Sequence, residues 1–229
     1  MMSEIYVYGD STAQGIYLDE NGSYRVSRRG CIRLLKKEGY PLVNYAVHGY
    51  TVRQGLKAFR ETKTEPGSRC LIEFAGNDCD LDWDAVAEDP GRFHDGKVPL
   101  AEFRESLEEF VTEARERGVK PILVTPLPLI SERYYAWVSR NRNAENILAY
   151  LRKDPESISR WQERYAGAVR EAAARMNCAL ADLRAWMLDQ MDYPALMCMD
   201  GIHPNEAGQE KIAGIFRKRY PRNLIAAAF

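Results

Sequence analysis

The chain has 229 residues, with 32 Lys and Arg against 33 Asp and Glu and a formal charge of −1. So even a balance excludes a global electrostatic pull toward nucleic acid or a membrane surface. With 45% hydrophobic and 28% charged residues the disordered and fibrous classes drop out, and the length suits one globular core. No apolar run approaches the ~20 residues that span a bilayer. The opening MMSEIYVYGD lacks the basic-then-apolar order of a secretory signal, so the expected location is the cytoplasm. Cys31, Cys70, Cys79, Cys178 and Cys198 are odd in number and scattered, with no C-x-x-C. They are expected to be buried thiols in a reducing compartment, not a disulfide framework or a zinc site.

In chain order, apolar, β-branched or aromatic runs at 5–8, 42–47, 70–74, 121–125 and 178–183 predict strands. Helical patterns separate them. Residues 28–38 end at Gly39, and an acidic stretch opens a short helix through Val86. Over 100–117, Leu100, Phe103, Leu107, Phe110, Val111 and Ala114 share one face, and Gly118 supplies a left-handed cap. The next helix is expected at Asp154-Pro155, an N-cap with proline after it, and carries Trp161, Tyr165, Ala168, Ala172 and Met176 on one stripe. A last helix runs from 205 to about 220, stopping before Pro221. Five strands alternating with helices predict an α/β three-layer sandwich with a mostly parallel, doubly wound sheet. The whole chain, 1–229, is expected to be one domain. Residues 126–153 exceed the ~12–15 of an ordinary connection, so they form a lid-like insertion or carry a short helix at 143–152.

In such a fold chemistry sits beyond the carboxyl ends of the strands. Polar groups fall there. Gly9-Asp10-Ser11 follows the first run, Gly49 the second and Asn77 the third, while Asp200 and His203 precede the last helix. Acyl transfer to a serine needs a base, a carboxylate that orients it and donors aimed at the developing oxyanion. Asp200 and His203, three residues apart on a loop, suit the carboxylate and the base for Ser11. The N–H groups of Ser11 and Gly49 with the Asn77 amide suit the oxyanion hole.

These four blocks, in this order, resemble the SGNH (GDSL-type) hydrolases. The resemblance spans residues 9–203 and implies a flavodoxin-like fold, hydrolysis of acyl esters and no required metal or cofactor. It assigns Ser11, Gly49, Asn77 and His203 the four family roles and Asp200 that of the triad acid. Two departures stand out: Thr12 where the first block usually has leucine, and Ala75 where the third begins with glycine. A β-carbon at Ala75 would shift the loop if that position needs a positive φ.

Other polar features have plainer readings. His48 either lines the pocket or is structural, and His94 is expected to be solvated in its polar loop. Asp10 and Asp78 are expected to fix loops. The acidic run 78–84 puts Trp83 and Asp89 where a calcium loop needs glycine and glutamate, so no calcium is expected. Trp83 is a candidate pocket residue. Tyr134, Tyr135 and Trp137 either present aromatic faces to a sugar or acyl group or pin the long connection to the core. The expected function is a serine esterase acting on a small-molecule or carbohydrate ester with a short acyl group such as O-acetyl, through an acyl-enzyme on Ser11. Two alternatives stay open: an acyltransferase with the same triad, and a non-catalytic ligand-binding module.

Overall fold

The computed structural model describes residues 3–221. Its strands are β1 Ile5–Gly9, β2 Ile16–Leu18, β3 Tyr24–Val26, β4 Leu42–Asn44, β5 Arg69–Glu73, β6 Lys120–Val124 and β7 Ala179–Ala181. Its helices are α1 Ser11–Gln14, α2 Cys31–Lys37, α3 Val52–Glu61, α4 Trp83–Glu88 and α5 Leu100–Glu116. They continue as α6 Ser131–Ser139, α7 Ala144–Tyr150, α8 Ser157–Arg175, α9 Leu183–Leu188 and α10 Glu206–Arg219.

Every residue of β1 is buried, which explains why its sequence is apolar throughout instead of alternating. It lies between β4 and β5, with Ile5 opposite Leu42 on one side and Arg69 on the other. The five-stranded sheet runs β4-β1-β5-β6-β7 and is parallel at every pairing. This is the doubly wound, flavodoxin-like order, with helices on both faces. Tyr6, Tyr8, Cys70, Ile72 and Leu123 face α3, α5 and α8 and pack with Phe59, Phe103, Phe110 and Tyr165. Ile5, Val7, Leu42 and Val124 face the other way, against Ile32, Leu35, Met187 and Ile212 of α2, α9 and α10. Fully burying such a side chain contributes about 1.5–3 kcal/mol.

A third cluster lies off the sheet. Trp83 and Val86 of α4 pack with Tyr134 and Val138 of α6, Ile147 of α7 and Ile158 of α8. The long connection 126–153 therefore carries two helices, α7 within the expected 143–152 and capped by Asn143, and α6 ahead of it.

Several boundaries differ from the sequence-based expectation for local reasons. The second run leaves the sheet at Asn44, whose side chain accepts from Ala46 N (3.0 Å) and donates to Ala13 O (3.0 Å). The fifth stops at Ala181 because Asp182 turns to cap α9 by accepting from Ala185 N. Asp154 and Pro155 form a turn ahead of α8 instead of its first residues; Ser157 N donates to Asp154 O at 3.0 Å. The hairpin β2–β3 and helices α1, α3, α6 and α9 lie outside the sequence-based expectation.

Helix α3 approaches the sheet closely at Gly55, where a β-carbon would fall on the ring of the buried Phe74. Replacing a mid-helix glycine by alanine ordinarily gains up to ~1 kcal/mol. At this position Gly55→Ala is expected to lose about 1–3 kcal/mol through overpacking, read as a lower urea midpoint. An unchanged or raised midpoint would contradict that packing.

Candidate active site

The strand order reverses beside β1, and the carboxyl ends of β1 and β5 meet at that switch point. Immediately after β1, Asp10 turns the chain. Its Oδ1 accepts from Thr12 N at 3.0 Å, capping the single turn of α1, which Gly15 closes in the left-handed conformation. Ser11 is thereby the first helical residue, and its own N–H has no acceptor among the described residues.

From the far end of the sequence comes the turn Asp200-Gly201-Ile202-His203. Asp200 is fully buried, and its Oδ1 accepts from the N–H groups of Ile202 and His203, both at 3.1 Å. Its Oδ2 meets His203 Nδ1 at 2.6 Å, and His203 Nε2 meets Ser11 Oγ at 3.0 Å. An ionised carboxylate can only accept, so the Nδ1 proton points to Asp200 and Nε2 is left to accept from the serine hydroxyl. Burial pushes the Asp200 carboxyl up, but the His203 hydrogen bond and charge and the two backbone donors outweigh it and leave it below the ordinary value. Gly201 is required twice over. It has φ +75°, and a β-carbon there would meet Ile130 O at 2.6 Å.

Asn77, after β5, is oriented by two acceptors: its Nδ2 donates to Tyr50 O at 3.0 Å and Asp10 Oδ2 at 3.2 Å. Gly49 takes φ +83° in an exposed turn, with no acceptor for its N–H among the described residues. Ala75 adopts φ +116°, a conformation that favours glycine, so alanine has taken up the turn instead of displacing it. The buried Asp78 braces that strain. Its Oδ2 accepts from Ala75 N (2.9 Å) and its Oδ1 from Val52 N (2.8 Å). Burial pushes the Asp78 carboxyl up to about 7 against those two donors.

Ser11 and His203 open onto a cavity of about 830 Å³. His48, Asn77, Trp83, Tyr134 and Trp137 line it, whereas Gly49 and Tyr135 do not. Tyr135 turns its hydroxyl to Ala144 O (3.1 Å), while its neighbour Tyr134 donates to Asp80 Oδ1 (2.5 Å). His48 stands with its ring centroid 5.8 Å from that of His203, and burial followed by the His203 charge lowers its pKa. The acidic run is occupied in place. Asp80 also pairs with Lys97 (2.7 Å), Asp82 caps α4 and Asp84 pairs with Arg142. His94 Nε2 lies 2.8 Å from Asp89 O, and its backbone is tied to the Tyr150 hydroxyl.

Two site residues escaped the sequence reading. Tyr24, on the hairpin, brings its ring centroid to 4.9 Å from that of His203 and 6.2 Å from that of Trp137. The available signal was Asn21-Gly22, a hairpin-turn dipeptide. Glu73 ends β5 buried beneath Asp10, whose N–H approaches its Oε2 at 3.4 Å. Burial, then the adjacent Asp10 carboxylate, raises the Glu73 pKa well above the ordinary range, and burial raises that of Asp10 as well.

A parallel α/β/α sandwich with serine, histidine and aspartate hydrogen-bonded in series at its switch point has the architecture of a hydrolase. The GDSL-like lipase/acylhydrolase family matches residues 7–211, and the chain belongs to that family. It is 24% identical over 188 residues to the uncharacterized lipoprotein YqeF of Bacillus subtilis (strain 168), covering 78% of this chain and 70% of that protein. Its fold is similar to a lipase/acylhydrolase from Enterococcus faecalis (25% identity, TM-score 0.63, 95% of this chain and 97% of that one). The acetyl xylan esterase Axe2 of Geobacillus stearothermophilus shares the fold at 22% identity (TM-score 0.64, 94% and 93% covered). Among the described residues, no helix is long and apolar enough to cross a membrane.

The buried Glu73 proton makes stability depend on pH. The unfolded chain releases it near pH 4.3, the ordinary glutamate value, while the folded chain keeps it to a higher pH. The folded state then binds more protons, so this group's contribution falls as pH rises from about 4 toward the raised pKa. Glu73→Gln has no such proton, and its urea midpoint is expected to gain on wild type as the pH rises above about 4. Parallel curves for the two proteins would contradict the raised Glu73 pKa; the Asp78 contribution is common to both and cancels.

Proposed function

We propose that the protein is a serine esterase that hydrolyses small acyl esters through an acyl-enzyme on Ser11. The observation that carries this reading is the continuous Ser11–His203–Asp200 series, at 3.0 and 2.6 Å, opening on the cavity. His203 Nε2 takes the hydroxyl proton as Ser11 Oγ attacks the ester carbonyl, then delivers it to the leaving alcohol. Asp200 holds the Nδ1 proton in place and stabilises the imidazolium that forms. A water deprotonated by His203 then attacks the acyl-enzyme and releases the acid, restoring the serine.

The proposed oxyanion donors are the Ser11 N–H and Asn77 Nδ2 at the cavity, with a third from the Gly49 N–H, which follows the cavity residue His48 but does not itself line the cavity. Asn77 contributes by shifting its longer bond, the one to Asp10, onto the substrate oxygen. The cavity lies within the ~300–1,000 Å³ typical of small-molecule sites. Trp83, Tyr134, Trp137 and Tyr24 give its walls aromatic faces suited to a sugar ring or a compact acyl group. The fold shared with an acetyl xylan esterase is consistent with O-acetyl carbohydrate esters as the substrate class.

With p-nitrophenyl acetate, Ser11→Ala is expected to lose about 10³-fold or more in kcat, and Asp200→Asn about 10⁴-fold. A fluorophosphonate probe should label the Ser11 peptide in wild type and nothing in Ser11→Ala. Equal turnover by wild type and Ser11→Ala would overturn the nucleophile. Labelling at another serine would relocate it.

A further inference from the structure

Four arginines, Arg92, Arg140, Arg142 and Arg152, line the cavity beside Ser11 and His203. Their charges are not equally spent. Arg142 forms a fork with Asp84, at 2.7 and 2.9 Å. Arg92, Arg140 and Arg152 have no carboxylate within ion-pair distance among the described residues. The acidic residues of the cavity wall do not balance them. Asp10 and Glu73 are buried beneath the serine turn, and Asp80 is taken by Tyr134, Trp83 and Lys97. On a chain whose total charge is −1, the cavity is a local concentration of uncompensated guanidinium groups.

Their placement is built. Arg140 lies over the Trp137 ring, 3.2 Å from its centroid, and Trp137 in turn edges Tyr24 beside His203. Arg152 follows α7 with φ +55°, and Lys153 with φ +62°, where glycine is the easier residue. The hydrogen bonds that close α7 there, Arg152 N to Ala149 O (2.9 Å) and Lys153 N to Leu148 O (2.8 Å), are backbone bonds that glycine would make equally well. The strain thus keeps a long cationic side chain at the cavity rim. Arg92 is brought to the same end because His94 is tied to Tyr150 of α7 through both backbone groups and a ring contact.

We propose that the site is specific for esters that carry an anionic group, carboxylate or phosphate, on the part of the substrate away from the reacting carbonyl. Arg92, Arg140 and Arg152 bind that group. Guanidinium forks match both anions in geometry and charge, and a concave wall focuses the field that draws them in. This rests on the esterase reading for the reaction but not for the binding, and the two separate experimentally.

The test uses three acetyl esters differing in one substituent: 4-acetoxybenzoate, its methyl ester and 4-acetoxyphenyl phosphate. The methyl ester has a better phenoxide leaving group than the benzoate, so a preference for the benzoate is not intrinsic reactivity. Wild type is expected to show kcat/KM about tenfold or more higher for at least one anion than for the methyl ester at low salt, shrinking in ~0.5 M NaCl. The favoured anion identifies the chemistry. Arg140→Gln and Arg152→Gln should each pull the ratio of anionic to neutral ester toward one, while Arg217→Gln, on the remote α10, leaves it in place. Calorimetric binding of the same esters to Ser11→Ala reads recognition without turnover. Anion-selective binding without hydrolysis by wild type would sink the esterase and keep the inference. Equal handling of all three esters, in binding and in turnover, or a ratio indifferent to both cavity substitutions, would overturn it.

Discussion

The structure depends on the position of β1. The first strand of the chain is the second of the sheet, hydrogen-bonded in parallel to β4 on one flank and β5 on the other. A strand in that position must be buried on both faces, and the Tyr6–Tyr8 face and the Ile5–Val7 face each seed one core. It also places the reversal of strand order at its own carboxyl end, so its first polar residues open into a crevice between diverging connections. Ser11 is there because β1 is central.

Asp10 carries the second constraint. One carboxylate caps α1, orients the Asn77 amide and lies over Glu73, so the serine turn and the loop after β5 share one anchor. Burying two acidic groups side by side is costly. The raised pKa of both groups reflects that cost, and Asp10 offsets part of it by accepting directed hydrogen bonds from Thr12 N and Asn77 Nδ2. Asp78 repeats the device a few residues away, holding Ala75 in a glycine-like conformation. The loops of the site are thus fixed by buried carboxylates more than by apolar packing, which sets them at the right separation without filling the space above Ser11.

What the sequence revealed and what it hid follow from the range of the interactions. The sheet strands were legible because burial on both faces leaves short apolar runs, and the polar blocks stood out because each run ends abruptly. The helices expected from 205 and 143 do begin there, each held by an asparagine cap that acts within three residues. The hairpin was harder. Tyr24, Arg25 and Val26 are all exposed, so β3 lacks the alternation that marks a half-buried strand, and Tyr24 reaches His203 only through the fold. Tyr134 and Tyr135 look equivalent in sequence, yet one step around α6 sends one into the cavity wall and the other toward α7. Glu73 was invisible for a different reason. Its partner lies 63 residues away, and no local pattern distinguishes a carboxyl that keeps its proton from one that loses it.

The series joining Ser11 to His203 spans 192 residues of sequence. During synthesis Ser11 leaves the ribosome long before His203, with four sheet strands and most of the helices between them. Throughout that interval Ser11 is a serine of ordinary reactivity. The hydrogen-bonded series therefore forms late, once the 200–203 turn has docked on a sheet already assembled, and a chain stalled or cut before that turn does not contain it. The covalent distance between the two groups works as a timer that withholds their contact until the rest of the fold can hold it.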